Sequence, residues 1–291
     1  MSEILHRLLG VTLIIFMVGS LLEVGLRLDV GAAVRALRHL RFLVLSLAWS
    51  FVLGPALALL LTIVVPLADG YAVGLLFLGM APCAPFVPLL SQRAHGDLAY
   101  VAAFMLLAAV GTVAYMPLMT PVLVAGFTAD AWAIARPLVI YIAVPLAIGI
   151  LMRRVAKSFA ELAHPLVKKA TALDTIAMLA IVLWIYRSDI LSAFGSYAIA
   201  TQILFYGLIA FAAWRLGFGL GKPQRAVLAL GASTRNIGAA FAPLVSVPGT
   251  DRRTITMVVL AVPISVVCGF VIAHLIARSA PERASSGSPG T

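Results

Sequence analysis

The sequence predicts an all-α membrane protein of about nine transmembrane helices, and three observations predict it. The chain has 291 residues, 63% of them hydrophobic and only 11% charged. A soluble domain carries roughly a quarter charged residues, so this chain lacks the charges to cover a soluble surface, and a soluble enzyme is excluded. Its mean hydropathy is +1.09, and the apolar residues fall in runs of about 20 or more, the length that crosses a bilayer. The basic residues, which give a formal net charge of +10, sit in the gaps between those runs. So placed, they read as topology signals and as attraction to anionic lipid, not as a nucleic-acid surface.

In chain order the candidate spans fall at about 5–27, 42–67, 71–91, 98–126, 132–152, 171–190, 196–219, 224–246 and 255–278. The first contains Glu23 and has no small-x-small cleavage site, so it is expected to stay as a span and not be removed as a signal peptide. The connections are short, the longest being the basic stretch 153–170. Residues 1–279 are expected to form one transmembrane domain, followed at 280–291 by a Pro/Gly/Ser-rich disordered tail. With the N-terminus outside, fifteen Lys and Arg lie on the inner side and five on the outer, Arg235 standing apart. That asymmetry predicts a bacterial-type inner (plasma) membrane protein with its N-terminus outside and its C-terminus cytoplasmic.

Two spans differ from the rest. In the third, Pro82, Pro85 and Pro88 recur at every third position. Each removes a backbone donor and disfavours helix at the residue before it, so three together should unwind the span. The eighth carries Gly231, Ser233, Thr234, Arg235, Asn236 and Gly238, followed by Pro243. Irregular backbone at that depth survives only where protein or a wet cavity satisfies it. The two breaks lie about 150 residues apart in spans that cross in opposite directions. This pattern predicts an inverted repeat with a binding site between two broken, crossing helices.

At these residues the sequence resembles the bile acid:sodium symporter family, related to the arsenite efflux carriers. The likeness rests on Gly79-Met-Ala-Pro-Cys83 with Gly96-Asp97 following, and on Arg235-Asn-Ile-Gly238 with Ala239 and Ala240 behind it. A weaker echo is Glu23-Val-Gly-Leu-Arg-Leu28 leading into a basic loop. The resemblance implies a core domain (about 42–126 and 196–278) and a panel domain (about 5–27 and 132–190), whose relative movement gives alternating access. It also implies a pattern of sodium ligands that this chain lacks. Val87 and Pro88 stand where the family has a Ser-Asn pair, and Gly231 and Arg235 where it has a glutamate and a glutamine. Sodium needs oxygen ligands, and here a carboxylate is lost while a fixed cation is gained.

Arg235 is therefore expected to take the electrostatic place of the coupling ion. A charge at mid-membrane must be compensated, with Glu23 as the expected partner, Asp174 as an alternative, and an anionic substrate as a third. The expected substrate-binding residues are Arg235, Asn236, Ser233, Thr234, Pro82, Cys83 and Pro85. Ser233 and Thr234 equally suit capping of the second half-helix. Pro82, Pro85, Pro88, Gly231 and Gly238 are the expected break points. Cys83 and Cys268 suggest neither a disulfide nor a metal cluster. No metal or other cofactor is expected, with sodium left open, and the five histidines read as interface residues at span ends.

The sequence thus describes a non-enzymatic secondary transporter of a small or amphipathic organic anion, without sodium. Three alternatives stay open: a sodium-coupled symporter of the same family, an arsenite-type efflux carrier on account of Cys83, and a channel or non-transporting membrane protein. The expected partners are the lipid bilayer and the organic anion, with no nucleic acid and with the oligomeric state left open.

Overall fold

Apolar stretches of this length leave the backbone one way to satisfy itself in lipid, which is to wind into helix. Every named element of the computed structural model is accordingly helical. The structure describes residues 2–124, 130–246 and 249–279. The expected tail at 280–291 lies outside the described residues.

The chain opens with α1 (Ser2–Arg27), α2 (Val30–Leu37), α3 (Leu40–Ala48) and α4 (Gly54–Val64). It continues through α5 (Asp69–Met80), α6 (Val87–Arg93), α7 (Leu98–Leu123), α8 (Ala131–Leu138) and α9 (Val144–Val155). The second half holds α10 (Lys157–Ile185), α11 (Arg187–Ala193), α12 (Ala198–Arg215), α13 (Lys222–Ser233), α14 (Ile237–Ser246) and α15 (Arg252–Arg278). Aspartates start four of these helices. Asp29, Asp97, Asp130 and Asp251 each accept a first-turn amide of α2, α7, α8 and α15, satisfying donors that a helix start leaves orphaned. Two spans contain a single wide turn just ahead of a proline, at 49–53 before Pro55 and at 139–143 before Pro145. There the Gly54 and Val144 amides reach back five residues instead of four, which lets the helix pass the missing donor and the ring without ending.

Among the described residues, six helical stretches are long and apolar enough to cross a membrane, or seven if α10 and α11, bent by 75° about Tyr186, count as one span. The other two of the nine expected spans are the two expected to be broken, and neither contains a helix long enough to cross alone. The two missing from the set are 71–91 and 224–246, which exist as half-helix pairs, α5 with α6 and α13 with α14, each half 7 to 12 residues long. The stretch 153–170 is not a loop either. Helix resumes at Lys157 after one non-helical residue, Ala156, and Lys157 faces Glu161 one turn on at 3.9 Å. The basic stretch after the first span likewise contains a short helix, α2.

α1 lies against α9 and α10, while α5 packs on α15 and α4, and α12 on α13 and α15. The α1–α9 contact is backbone on backbone. A Cβ on Gly25 would stand 2.5 Å from the Leu146 carbonyl oxygen, and one on Gly149 2.7 Å from that of Leu22. Without a hydrophobic drive between helices in lipid, such small-residue seams supply the packing.

Candidate functional site

Two interrupted helices leave orphaned backbone groups in the middle of the bundle, and the two interruptions solve this by pairing with each other. Residues 81–86 separate α5 from α6, and residues 234–236 separate α13 from α14. Pro82 and Arg235 form an isolated antiparallel bridge. The Cys83 amide donates to the Thr234 carbonyl (2.8 Å) and the Asn236 amide to the Ala81 carbonyl (2.9 Å). The Ala84 amide donates to Thr234 Oγ1 (3.2 Å). Cys83 takes a left-handed backbone (φ 70°), a turn after which the next amide, that of Ala84, also reaches Thr234.

The polar side chains of the second break serve this crossing. Thr234 Oγ1 also donates to the Leu230 carbonyl at 2.8 Å, and Ser233 Oγ to the same oxygen at 3.5 Å. Asn236 Oδ1 accepts the Ala239 amide at 3.1 Å. Asn236 is therefore the cap of α14, and not Ser233 or Thr234, which bond backwards into α13. Thr234→Val removes the acceptor of the buried Ala84 amide and is expected to cost about 1–3 kcal/mol, whereas Thr234→Ser keeps it. Thermal unfolding in detergent checks this: equal melting of the Val variant and the parent would show that the bond contributes nothing.

Arg235 is fully buried, with 0% exposure. Its Nη1 donates to the Gly79 carbonyl at 3.2 Å, and the guanidinium carbon sits 4.8 Å from the centre of the Phe205 ring. Gly79 has a free carbonyl because the amide four residues on, that of Cys83, bonds Thr234 instead. The cation thus fills the C-terminal end of a half-helix, where the dipole is negative. Among the described residues, Nε and Nη2 have no hydrogen-bond partner. Gly54 leaves room for the group, since a Cβ there would stand 3.2 Å from Nη2.

The expected ion pair with Glu23 is not formed. Glu23 faces His164 across the α1–α10 contact, with 3.6 Å between Oε1 and Nε2. The reason is geometric: Glu23 is one turn from the C-terminal end of α1, while Gly238, just past the break, is level with Met17. Asp174 is no partner either, its buried Oδ2 being unbonded. His164 is accordingly an ion-pair candidate, and His39 caps α3 by accepting the Phe42 amide (3.3 Å). Both do more than the interface role expected of them.

Of the expected substrate-binding residues, the structure brings Cys83, Pro85 and Asn236 to a cleft and leaves the others behind the crossing. That cleft is narrow, with about 10 Å³ of free volume between these three residues, Leu21 and Val24 of α1, and Met105 and Ala109 of α7, room for about one water molecule. A second, wholly apolar cleft of about 20 Å³ lies on the other side of the break, between Leu13, Phe16, Met178 and Val182 and the opposing Ile237, Gly238, Phe241 and Val259. Pro82, Ser233, Thr234 and Arg235 line neither. Among the expected break points, Pro82 and Pro85 lie in the interruption, while Pro88 sits in the first turn of α6, where proline is tolerated. Gly231 and Gly238 are inside helices. They are close-approach positions instead: a Cβ on Gly231 would meet the Phe104 ring at 2.6 Å and one on Gly238 the Met17 side chain at 2.8 Å. Phe205, Gly54 and the Gly79 carbonyl, which hold the guanidinium, were missed because an aromatic or glycine in an apolar span carries no signal of its own.

A family model described as the Sodium Bile acid symporter family matches residues 11–193, from α1 to the end of α11. Among curated proteins none matches the chain.

Proposed function

Because the chain belongs to the sodium bile acid symporter family, and is a membrane transporter of that type, we propose that it carries a small or amphipathic organic anion by alternating access and without sodium. One observation carries the reading: Arg235 is buried at the crossing of two broken helices, on the free Gly79 carbonyl and the Phe205 ring. A guanidinium is in effect permanently charged, so a cation is built in where a coupling ion would have to be bound. The carboxylate needed to hold sodium is missing, with Gly231 in its place.

In this reading each broken pair counts as one crossing, which gives nine spans in two inverted halves. Spans 2–4 and 7–9 form the core, and α1 with α8–α11 the panel. The N-terminus is outside and the C-terminus cytoplasmic. The clefts on the two sides of the crossing, both walled by α1, are where an anion would enter and leave. Arg235 acts on it through the crossing rather than by contact, since in a medium of low dielectric a charge one backbone layer away still attracts strongly. The N-terminal end of α14 adds partial positive charge, and Asn236, its Oδ1 committed to the cap, has its amide nitrogen left for the cleft. The lining is otherwise apolar, which suits an anion with an apolar body.

The test is counterflow of labelled organic anions in proteoliposomes, with sodium present or replaced by a large organic cation. Rates equal within about twofold are expected. Counterflow that vanished without sodium would overturn the sodium-free reading, and saturable exchange of no anion would overturn the carrier reading.

A further inference from the structure

We propose that Arg252, Asp189 and Tyr186 form a latch that closes the second, apolar cleft from outside, linking the panel to the core. This rests on the carrier reading, in which α1 and α8–α11 move against the rest.

The bend about Tyr186 turns α11 out of line with α10 by 75° and brings it against α15. There Arg252 Nη2, on the first residue of α15, bonds Asp189 Oδ2 at 2.9 Å. The same guanidinium lies 5.7 Å from the centre of the Tyr186 ring. Each side of the contact is anchored in its own group. On the core side, Asp251 accepts the Arg253 amide and Thr254 Oγ1 donates to the Gly70 carbonyl at 2.9 Å, so α15 starts from a fixed corner on α5. On the panel side, the Tyr186 amide donates to the Val182 carbonyl at 2.9 Å.

Val182 and Val259 both line the apolar cleft. Val259 lies two turns beyond Arg252, about 10 Å along the helix. The latch thus stands at the mouth of the cleft. Among the described residues, the Lys157–Glu161 pair and the His164–Glu23 contact lie within the panel, whereas Arg252–Asp189 crosses from panel to core. Arg252 is 63% exposed and Asp189 27%, so the bond biases the outer opening and does not lock it. An ion pair of that exposure shifts an equilibrium about two- to fivefold.

The experiment introduces Val259→Cys as a reporter in the full chain and measures its reaction with a membrane-impermeant maleimide added outside. Peptide-resolved mass spectrometry separates the reporter from Cys83 and Cys268. Asp189→Asn and Arg252→Gln are each expected to raise the labelling rate about two- to fivefold, and the swapped pair Arg252→Asp with Asp189→Arg to bring it back towards the parent value. Size-exclusion profiles of all variants confirm that each is folded. Unchanged labelling in both single variants, or a swap that labels as fast as they do, would overturn the latch. Anion counterflow on the same proteoliposomes separates the two readings: intact counterflow with unresponsive labelling sinks the latch alone.

Discussion

Arg235→Met is expected to lower organic-anion counterflow at least about 30-fold while leaving the melting temperature within a few degrees of the parent. The two halves of this expectation come from different terms. Removing one member of a buried charge interaction costs about 2–5 kcal/mol, and each 1.4 kcal/mol is tenfold. If the built-in cation is what attracts the substrate, that loss falls on transport. The fold, however, gives up little. Arg235 makes one hydrogen bond, to Gly79, and leaves Nε and Nη2 unbonded, so the desolvation cost of its charge is incompletely offset. An apolar side chain of similar volume relieves that cost and still packs on Phe205, which offsets the roughly 1–3 kcal/mol lost in leaving the Gly79 carbonyl unsatisfied. Arg235→Gln, which keeps a donor for Gly79 without the charge, should fail like Met, and sodium should rescue neither because no carboxylate stands at Gly231. Counterflow and thermal unfolding on the same preparations decide it. A Met variant that kept a tenth or more of the parent rate would remove the charge from the mechanism.

Gly149→Leu is expected to have the largest effect on folding. The α1–α9 seam is formed by Gly25 and Gly149, and what an added side chain would meet is backbone: Leu22 O at 2.7 Å, Gly25 Cα at 2.8 Å and Leu26 N at 2.8 Å. Backbone cannot rotate away as a side-chain tip can, so the two helices must separate. Overpacking of this kind costs about 1–3 kcal/mol and at times more, and it also opens the seam at Arg153, whose Nη1 donates to the Leu26 carbonyl at 3.1 Å. A fall in melting temperature of roughly 5–10 °C is expected, with a severalfold loss of monodisperse protein on size-exclusion chromatography. Gly207→Ala is the control. Nothing lies within 4 Å of a Cβ there, and alanine inside a helix is worth about 0.5–1 kcal/mol over glycine, so that variant should melt at or above the parent. A Gly149→Leu protein as stable as Gly207→Ala would mean the seam has slack.

The second break shows where sequence reading stopped. Gly231 and Gly238 were natural break points because glycine weakens a helix, yet both remain helical and the chain opens at 234–236 between them. Their role is set by what stands opposite, the Phe104 ring and Met17, and residues so distant in sequence are invisible to local propensity. Glu23 and Arg235 were natural partners because a lone charge in lipid needs one, but partnership depends on depth and facing. The carbonyl that actually receives the guanidinium belongs to the main chain, which has no letter in the sequence. Likewise α10 begins at Lys157 in a stretch that charge alone marks as a loop.

The sequence by itself determined that the chain is helical and lies in a membrane, where most of its crossings fall, and which two segments are interrupted. These follow from composition, hydrophobic run length and proline stereochemistry, all local properties that hold wherever the segments end up. Only the tertiary structure decided that the interruptions satisfy each other, that Arg235 rests on Gly79 and Phe205 with no acid beside it, and that Asn236, Cys83 and Pro85 are the residues left facing open space. Those outcomes depend on the depth and rotation of each helix against its neighbours, and these are fixed by close packing of the whole bundle.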